Sequence, residues 1–428
     1  MENHFFIFPI SFRIRIFFLV SCSFLLHPFS SEAQSVSLDT LIQRLKENNP
    51  EIKSSKYSAQ AAMSRVHQVN AWEAPMIGIE LDDAPVKQFP EQKMINYFVS
   101  QRIPFPGKKS SESSAAMFGK DMMEQETNSI ENELVLKLKF TYYDLFLHEK
   151  KIELIRENEF VLKQMSDIAL RQYEVGIGRQ SDILRSQTEL SLEKKEEISL
   201  VNETVMFRSM INSLTNQTTD QFFTTMGISH PDTSKLNLSS LLELAENNRP
   251  ELQAAKYRIR MQEESLSRSK HDYYPDIIVG AKYKKDFDMD NDLWMLEIGL
   301  SIPIAPWSSG SVSGKIDESE MNLNRARSDF IQMRNMVANQ IQSTLSSVET
   351  NRQIYEMYIT TILPQAEQTL TSTLSAYQTG KAEFFMVNEA HHMLIDANIA
   401  KLHAENDWLK SYAQLEQAVG GKLVISND

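Results

Sequence analysis

Cysteine is almost absent from this 428-residue sequence: Cys22 is the only one, and it sits in an apolar N-terminal stretch. If that stretch is removed on export, the mature chain has no thiol, which excludes disulfides and cysteine chemistry. Basic residues are also in deficit. Lysine and arginine number 44 against 57 aspartates and glutamates, a formal net charge of -13. That argues against nucleic acid as a partner, since phosphate neutralisation needs a basic surface. Beyond the N-terminal stretch there is no run of 18 or more apolar residues, so no transmembrane helix is available. Glycine and proline are missing over long spans as well: from Lys108 to Gln172 and from about Ser313 to Ala376 only Gly119, Gly314 and Pro364 occur. P-loop, dinucleotide and zinc-protease motifs are absent. Gly310-Ser311-Val312-Ser313-Gly314 has valine where a nucleophile elbow needs serine. An enzyme is therefore not expected, nor a cofactor or a resident metal.

What the sequence does contain is a repetition. Leu38, Leu41, Ile42, Asn48, Pro50, Glu51, Lys56, Tyr57, Pro75 and Ile77 recur as Leu238, Leu241, Leu242, Asn248, Pro250, Glu251, Lys256, Tyr257, Pro275 and Ile277, every pair 200 residues apart. The offset becomes 199 at Ile103-Pro104 against Ile302-Pro303, and 204 at Tyr173-Glu174-Val175-Gly176 against Tyr377-Gln378-Thr379-Gly380. A tandem duplication with internal pseudo-symmetry follows.

Residues 1–33 read as an export signal. Arg13 and Arg15 precede an apolar run, and Ser31-Glu32-Ala33 offers small residues for cleavage. A competing reading takes Leu19-Val20-Ser21-Cys22 as a lipobox. Because no transmembrane helix follows, the exported chain is periplasmic, secreted, or an outer-membrane β-barrel.

Each half carries two short segments of period-two alternation, near 76–82 and 94–104 in the first and near 276–285 and 293–303 in the second. Trp294, Leu296, Ile298 and Leu300, for example, alternate with Met295, Glu297, Gly299 and Ser301. A soluble sandwich would alternate in the same way. Four such strands cannot close a membrane barrel alone, so several chains would have to share one. The remainder reads as helix of unusual length, since about 65 residues at about 1.5 Å each span roughly 100 Å. Apolar heptads occur in pieces, at Leu138, Leu145 and Ile152, and on a second stripe at Leu147, Leu154, Val161 and Ile168. Two stripes on one helix imply neighbours on both sides. Each long helix reverses at a glycine suited to a C-cap, Gly176 or Gly380, and returns to about residue 216 or 420.

Signal, duplication, strand pairs and long hairpins together resemble the outer-membrane efflux proteins of the TolC family. The resemblance is carried by Asn49-Pro50-Glu51 and Arg249-Pro250-Glu251, by Pro75 and Pro275, by Ser100-Gln101-Arg102-Ile103-Pro104-Phe105-Pro106-Gly107-Lys108 and Ser301-Ile302-Pro303, and by the two Tyr-x-x-Gly turns. It implies a mainly α fold with a small β part. The organisation would be a first repeat over 34–216, an equatorial linker over 217–235, a second repeat over 236–421 and a tail over 422–428. It further implies a homotrimer with a shared 12-stranded barrel in outer-membrane lipid and a periplasmic helical barrel. The partners would be a periplasmic adaptor and an inner-membrane pump of the RND type. Adaptor-docking tips would comprise Tyr173, Val175, Gly176, Ile177 and Asp182, with Tyr377, Thr379 and Gly380 in the second copy. The aperture ring would fall on Met386 and Glu389, six and nine residues after the second tip glycine. The alternatives are a type I protein-secretion duct and, in a different class, a soluble periplasmic coiled-coil scaffold.

Three signals remain. Twenty methionines suit soft-metal handling or adaptable packing between long helices. With the likeness of the Ser100–Lys108 segment to members serving heavy-metal pumps, they favour metal cations as cargo. Asp286, Asp288, Asp290 and Asp292 have calcium-loop spacing, with Glu297 at its twelfth position. Asn291 replaces the turn glycine, however, so a solvated hairpin loop is the expectation. His391 and His392 are adjacent and point about 100° apart on a helix, as solvent or groove residues.

Overall fold

The computed structural model describes residues 35–82, 94–233, 236–287, 291–303 and 305–423. The export signal over 1–33 with Cys22, the loop residues Asp288 and Asp290, and the tail beyond 423 lie outside the described residues. After a two-residue strand β1 (Ser35–Val36), the first repeat runs α1 (Leu38–Asn48), α2 (Pro50–Asn70), β2 (Met76–Asp82), β3 (Met94–Ile103), α3 (Pro106–Glu174) and α4 (Gln180–Leu214). A second short strand, β4 (Thr224–Thr225), precedes the next repeat: α5 (Leu238–Asn248), α6 (Pro250–His271), β5 (Ile277–Asp286), β6 (Asn291–Leu300), α7 (Ser309–Met357), α8 (Leu363–Gln378) and α9 (Phe384–Val419).

The duplicated motifs are helix-start devices. Asn49 caps α2 by accepting from the amides of Glu51 and Ile52, and Pro50 occupies the first helical position, where no amide hydrogen is needed. Asn49 also donates to the Leu214 carbonyl at 2.8 Å, near the end of the returning helix. In the second repeat Arg249 takes that place and donates to the equivalent carbonyl, Ala418, at 2.9 Å. The reversal glycines act as expected. Gly176 and Gly380 have φ of +81° and +72°, and the Ile177 and Lys381 amides reach back to Gln172 and Ala376 in Schellman caps.

The first hairpin contains an unbroken 69-residue helix, α3, which spans roughly 100 Å. The second does not match it. A π-helical turn at Tyr358–Ile362 separates α7 from α8, next to Pro364, whose missing amide hydrogen leaves a carbonyl unanswered one turn earlier. Another difference from the sequence reading lies in the linker, where β1 and β4 pair in parallel. They are held by the buried Tyr142, whose hydroxyl donates to the Val36 carbonyl at 3.0 Å and accepts from the Met226 amide at 2.9 Å.

The four longer strands form one antiparallel sheet in the order β2-β3-β5-β6, so β3 and β5 join the repeats across the middle and β2 and β6 are its edges. The sheet is anchored to the helices by a buried carboxylate. Asp276, 2% exposed, accepts from Lys108 Nζ at 2.7 Å, Arg102 Nη2 at 2.6 Å and the Phe105 amide at 3.0 Å. Its own backbone exchanges hydrogen bonds with Ser301 at the end of β6. Around it Phe105 stacks on Tyr274 with centroids 4.5 Å apart, and a Cβ on Gly107 would lie 2.7 Å from the His271 ring. The Arg102–Lys108 segment is thus a joint, in which Arg102, Ile103, Phe105, Gly107 and Lys108 each meet something from the second repeat.

Burial alone would raise the Asp276 carboxyl, but the hydrogen bonds from Lys108, Phe105 and Arg102 outweigh it and hold it down at about 2. A depressed carboxylate stabilises the fold above its unfolded value of about 4 and loses that contribution as pH falls from there towards 2. We expect Asp276→Asn, which leaves the buried Lys108 with only Asp272 at 3.8 Å, to cost about 3 kcal/mol in denaturant unfolding. The variant should also lack the wild-type drop in stability below about pH 4.

Candidate functional site

The register of the sheet sorts its side chains onto two faces. Ile77, Ile79 and Leu81 lie opposite Val99, Tyr97 and Ile95. Ile277, Val279, Ala281 and Tyr283 lie opposite Leu300, Ile298, Leu296 and Trp294. This face is apolar and bare: Leu296 is 87% exposed, and Ile77, Ile298 and Trp294 are almost as open. The other face carries Glu80, Asn96, Lys282, Lys284 and Glu297, with Lys282 between Glu80 at 3.5 Å and Glu297 at 3.7 Å. Tyr97, Tyr283 and Trp294 make a cross-strand aromatic row at one end, with neighbouring centroids 6.3 and 5.1 Å apart. From the Ile277–Leu300 row to that aromatic row is roughly 20 Å, at about 3.3 Å per residue. Apolar band, polar reverse and aromatic border have the proportions of a membrane-barrel wall. Among the described residues no helix is long and apolar enough to cross a membrane.

The reversals of the two hairpins lie at the far end of the helices, and the structure brings them side by side. Tyr377 donates to Gln172 Oε1 at 2.5 Å and packs edge-on against Phe384. Burial, with the nearby Asp182, raises the Tyr377 hydroxyl above its ordinary value. Arg179 reaches Glu383 at 3.5 Å and Arg185 reaches Glu389 at 3.7 Å. The Arg185 guanidinium also lies over the Phe385 ring, 4.9 Å from its centroid.

Of the tip residues singled out in the sequence, Tyr173, Val175, Gly176 and Ile177 are exposed at the first reversal, Val175 and Ile177 to 70% and 76%. Asp182 is half-buried in the first turn of α4, where its charge complements the helix N-terminus. Thr379 and Gly380 are exposed, and Thr379 Oγ1 bonds back to the Ala376 carbonyl at 3.0 Å. Tyr377 differs from its repeat mate Tyr173 in turning inwards. Met386 and Glu389 both sit on an exposed face of α9.

His391 departs from expectation. Only His392 is partly open, 3.3 Å from Glu189. His391 is 3% exposed, because it continues the buried Phe384, Val387 and Asn388 positions of α9 at helical spacing. Among the described residues no group of three or more His, Cys, Asp or Glu is arranged to hold a metal ion.

The sequence reading also passed over Arg179, Arg185 and Glu383, although a signal was there. Arg179 and Arg185 are the repeat equivalents of Glu383 and Glu389 at the offset of 204. Opposite charges at matched positions mark equivalent helix starts lying in register beside each other.

With that geometry in view, the sequence profile of the family described as outer membrane efflux protein matches residues 41–206 and 241–421. A cobalt-zinc-cadmium resistance protein, CzcC of Cupriavidus metallidurans, is 19% identical over 324 residues, covering 74% of this chain and 75% of that protein. The outer membrane protein TolC of Vibrio cholerae is 18% identical over 410 residues, covering 91% and 92%. Among solved structures, CusC superposes with a TM-score of 0.78 at 15% identity, covering 90% of this chain and 92% of that one. The outer-membrane channel OprN superposes at 0.76 and 14%, covering 90% of each. The profile match extends over both repeats and most of the chain, and this protein belongs to the outer membrane efflux protein family, with a TolC-like fold.

Proposed function

We propose that the chain is the outer-membrane exit duct of a tripartite efflux pump. It works as a homotrimer whose strands close one barrel in the lipid and whose hairpins continue as a tunnel through the periplasm. The observation that carries this reading is the bare apolar face of a four-stranded sheet with two unpaired edges. In water such a sheet is an aggregation hazard. In a membrane it is satisfied when each edge meets the opposite edge of the next copy and the apolar face meets lipid. The second heptad stripe supports the same reading: Leu147 is buried, whereas Val161 and Ile168 are exposed and await a neighbouring copy.

The bare tips then serve as the docking surface for a periplasmic adaptor, which couples the duct to an inner-membrane pump of the RND type. Val175 and Ile177 supply apolar contact beside the left-handed Gly176. Met386 and Glu389 on the second hairpin form the aperture, and the Arg179–Glu383, Arg185–Glu389 and Tyr377–Gln172 contacts tie that hairpin to the first. The two ion pairs are exposed and worth about 1 kcal/mol or less each, weak enough for a docked partner to exchange them. The similarity to a cobalt-zinc-cadmium resistance protein, together with twenty methionines, favours heavy-metal cations as cargo. The chain works as a conduit and performs no chemistry on what passes.

Four substitutions test these assignments. Leu296→Arg, on the bare face, should cost about 2–4 kcal/mol of membrane stability and abolish outer-membrane insertion. Met295→Arg, on the opposite face, should insert normally; equal insertion of both would mean that the face does not meet lipid. Gly176→Val, at a position whose left-handed backbone costs an L-residue about 1–2 kcal/mol, should abolish metal resistance while trimer and barrel form as usual. Glu389→Gln should change single-channel conductance or its block by divalent cations in planar bilayers, and identical traces would remove Glu389 from the aperture.

A further inference from the structure

Between the two hairpins, within about one helical turn of the aperture residues on α9, the packing is interrupted by a polar layer. On the tip side lies an apolar layer of Leu162, Met165, Ala169, Phe384 and Val387. Further along lies another of Ile152, Ile155 and Leu200. Within the height of the first, directly after Val387, α9 turns Asn388 (1% exposed) and His391 (3%) inwards. The protein gives no partner to either polar atom of Asn388 or to His391 Nδ1, and farther from the tips on α3 Asn158 Oδ1 is also unpartnered. Buried polar groups are almost always satisfied, and an apolar layer at this height would hold the hairpins together more firmly. The interface is therefore weakened beside the aperture.

The charges around His391 can be assigned helix by helix. On α3, Lys163 and Asp167 at this height are exposed, while Asn158, which donates to Glu193 Oε1 at 2.8 Å, and Glu159, which faces Lys194 at 3.8 Å, lie farther from the tips. From α4 come Glu189 and Glu193; Glu189 is engaged by His392 at 3.3 Å. The next residue of α9, His392, sets its ring 6.4 Å from that of His391. From α8 the bundle receives Leu370, Leu374 and Tyr377, while the carboxylate of that helix, Glu367, is exposed.

We propose that this layer is a proton-operated release. Protonation of His391 makes its buried place untenable, the second hairpin parts from the first, and the aperture side chains carried by α9 move with it. Burial first, then the neighbouring His392, lowers the His391 pKa, while Glu189 pulls the other way without prevailing. The sign follows: with the packed-state value below the free value of about 6.5, the packed hairpins are favoured in full above that pH and lose ground as pH falls through it. The consequence for gating rests on the channel reading above; the parting of the hairpins does not.

The test uses the full-length protein in detergent, with Cys22→Ser and spin labels at Ser191→Cys on α4 and Met393→Cys on α9, both exposed positions. Pulsed electron resonance should show the mean distance increasing between pH 7.5 and pH 5.5. His391→Gln and, as an alternative should glutamine impair folding, His391→Leu should hold the distance constant. A wild-type distance that does not change, or variants that widen as the wild type does, would overturn the proposal. In bilayers the same pH step should raise conductance in the wild type and not in the variants. Widening without any rise in conductance would overturn the gating role alone, and a failure to form channels at every pH would overturn the duct reading, with the distances still deciding the release.

Discussion

One buried carboxylate holds the two halves of this molecule to each other. Asp276 belongs to the second repeat, yet Lys108, Arg102 and the Phe105 amide all approach it from the first. Its own backbone fixes Ser301, so the group sits where three of the four sheet-to-helix crossings converge. Pairing of this kind is strong evidence for geometry and weaker evidence for net stability, because desolvating Asp276 and Lys108 cancels much of the attraction. What it secures is direction. The sheet leaves the helices at a fixed angle, so a bare apolar face and two open edges stand ready for neighbours that a single chain cannot supply.

The duplication survives as a set of positions more than as a set of residues. Asn49 and Arg249 share almost no chemistry, yet each ties a helix start to the matching carbonyl of the returning helix. Asn216 and Gly420, again 204 apart, are both in the left-handed region. At the tips the same correspondence has become complementary, with arginine in one copy facing glutamate in the other. A gene duplication yields two like surfaces, and like charges repel. Divergence to opposite sign at matched positions turns that repulsion into a link between the hairpins.

Much of this was legible in the sequence, for physical reasons. Strand alternation reports a face directly, because successive side chains point to opposite sides. The hairpin reversals were legible because a left-handed C-cap selects glycine. Asp276 was not, since its partners lie far away in sequence and no local pattern marks a buried acid. His391 was misplaced by an argument that used only its neighbour: adjacency says that two rings diverge, not which one points inwards. Its spacing from Phe384 and Val387 held the answer. The π-turn escaped because Pro364 looked like a simple interruption within a long helix.

That π-turn carries a record of the protein's history. Buried Leu134, Leu138, Leu145 and Ile152 of α3 are matched by buried Val337, Ile341, Val348 and Tyr355 of α7, each 203 residues later. Past Tyr358–Ile362 the matched pair is Leu162 and Ala366, 204 apart, and the same offset continues to both tip glycines. The second arm therefore contains one residue more than the first, and the widened turn is where it is stored. In an unbroken α-helix the extra residue would rotate everything beyond it by about 100° and advance it about 1.5 Å. Ala366 and Tyr377 would then face outwards, and the two reversals would no longer stand level. The π-turn works as a vernier, taking up a single-residue difference in length so that two arms of unequal sequence end at the same height.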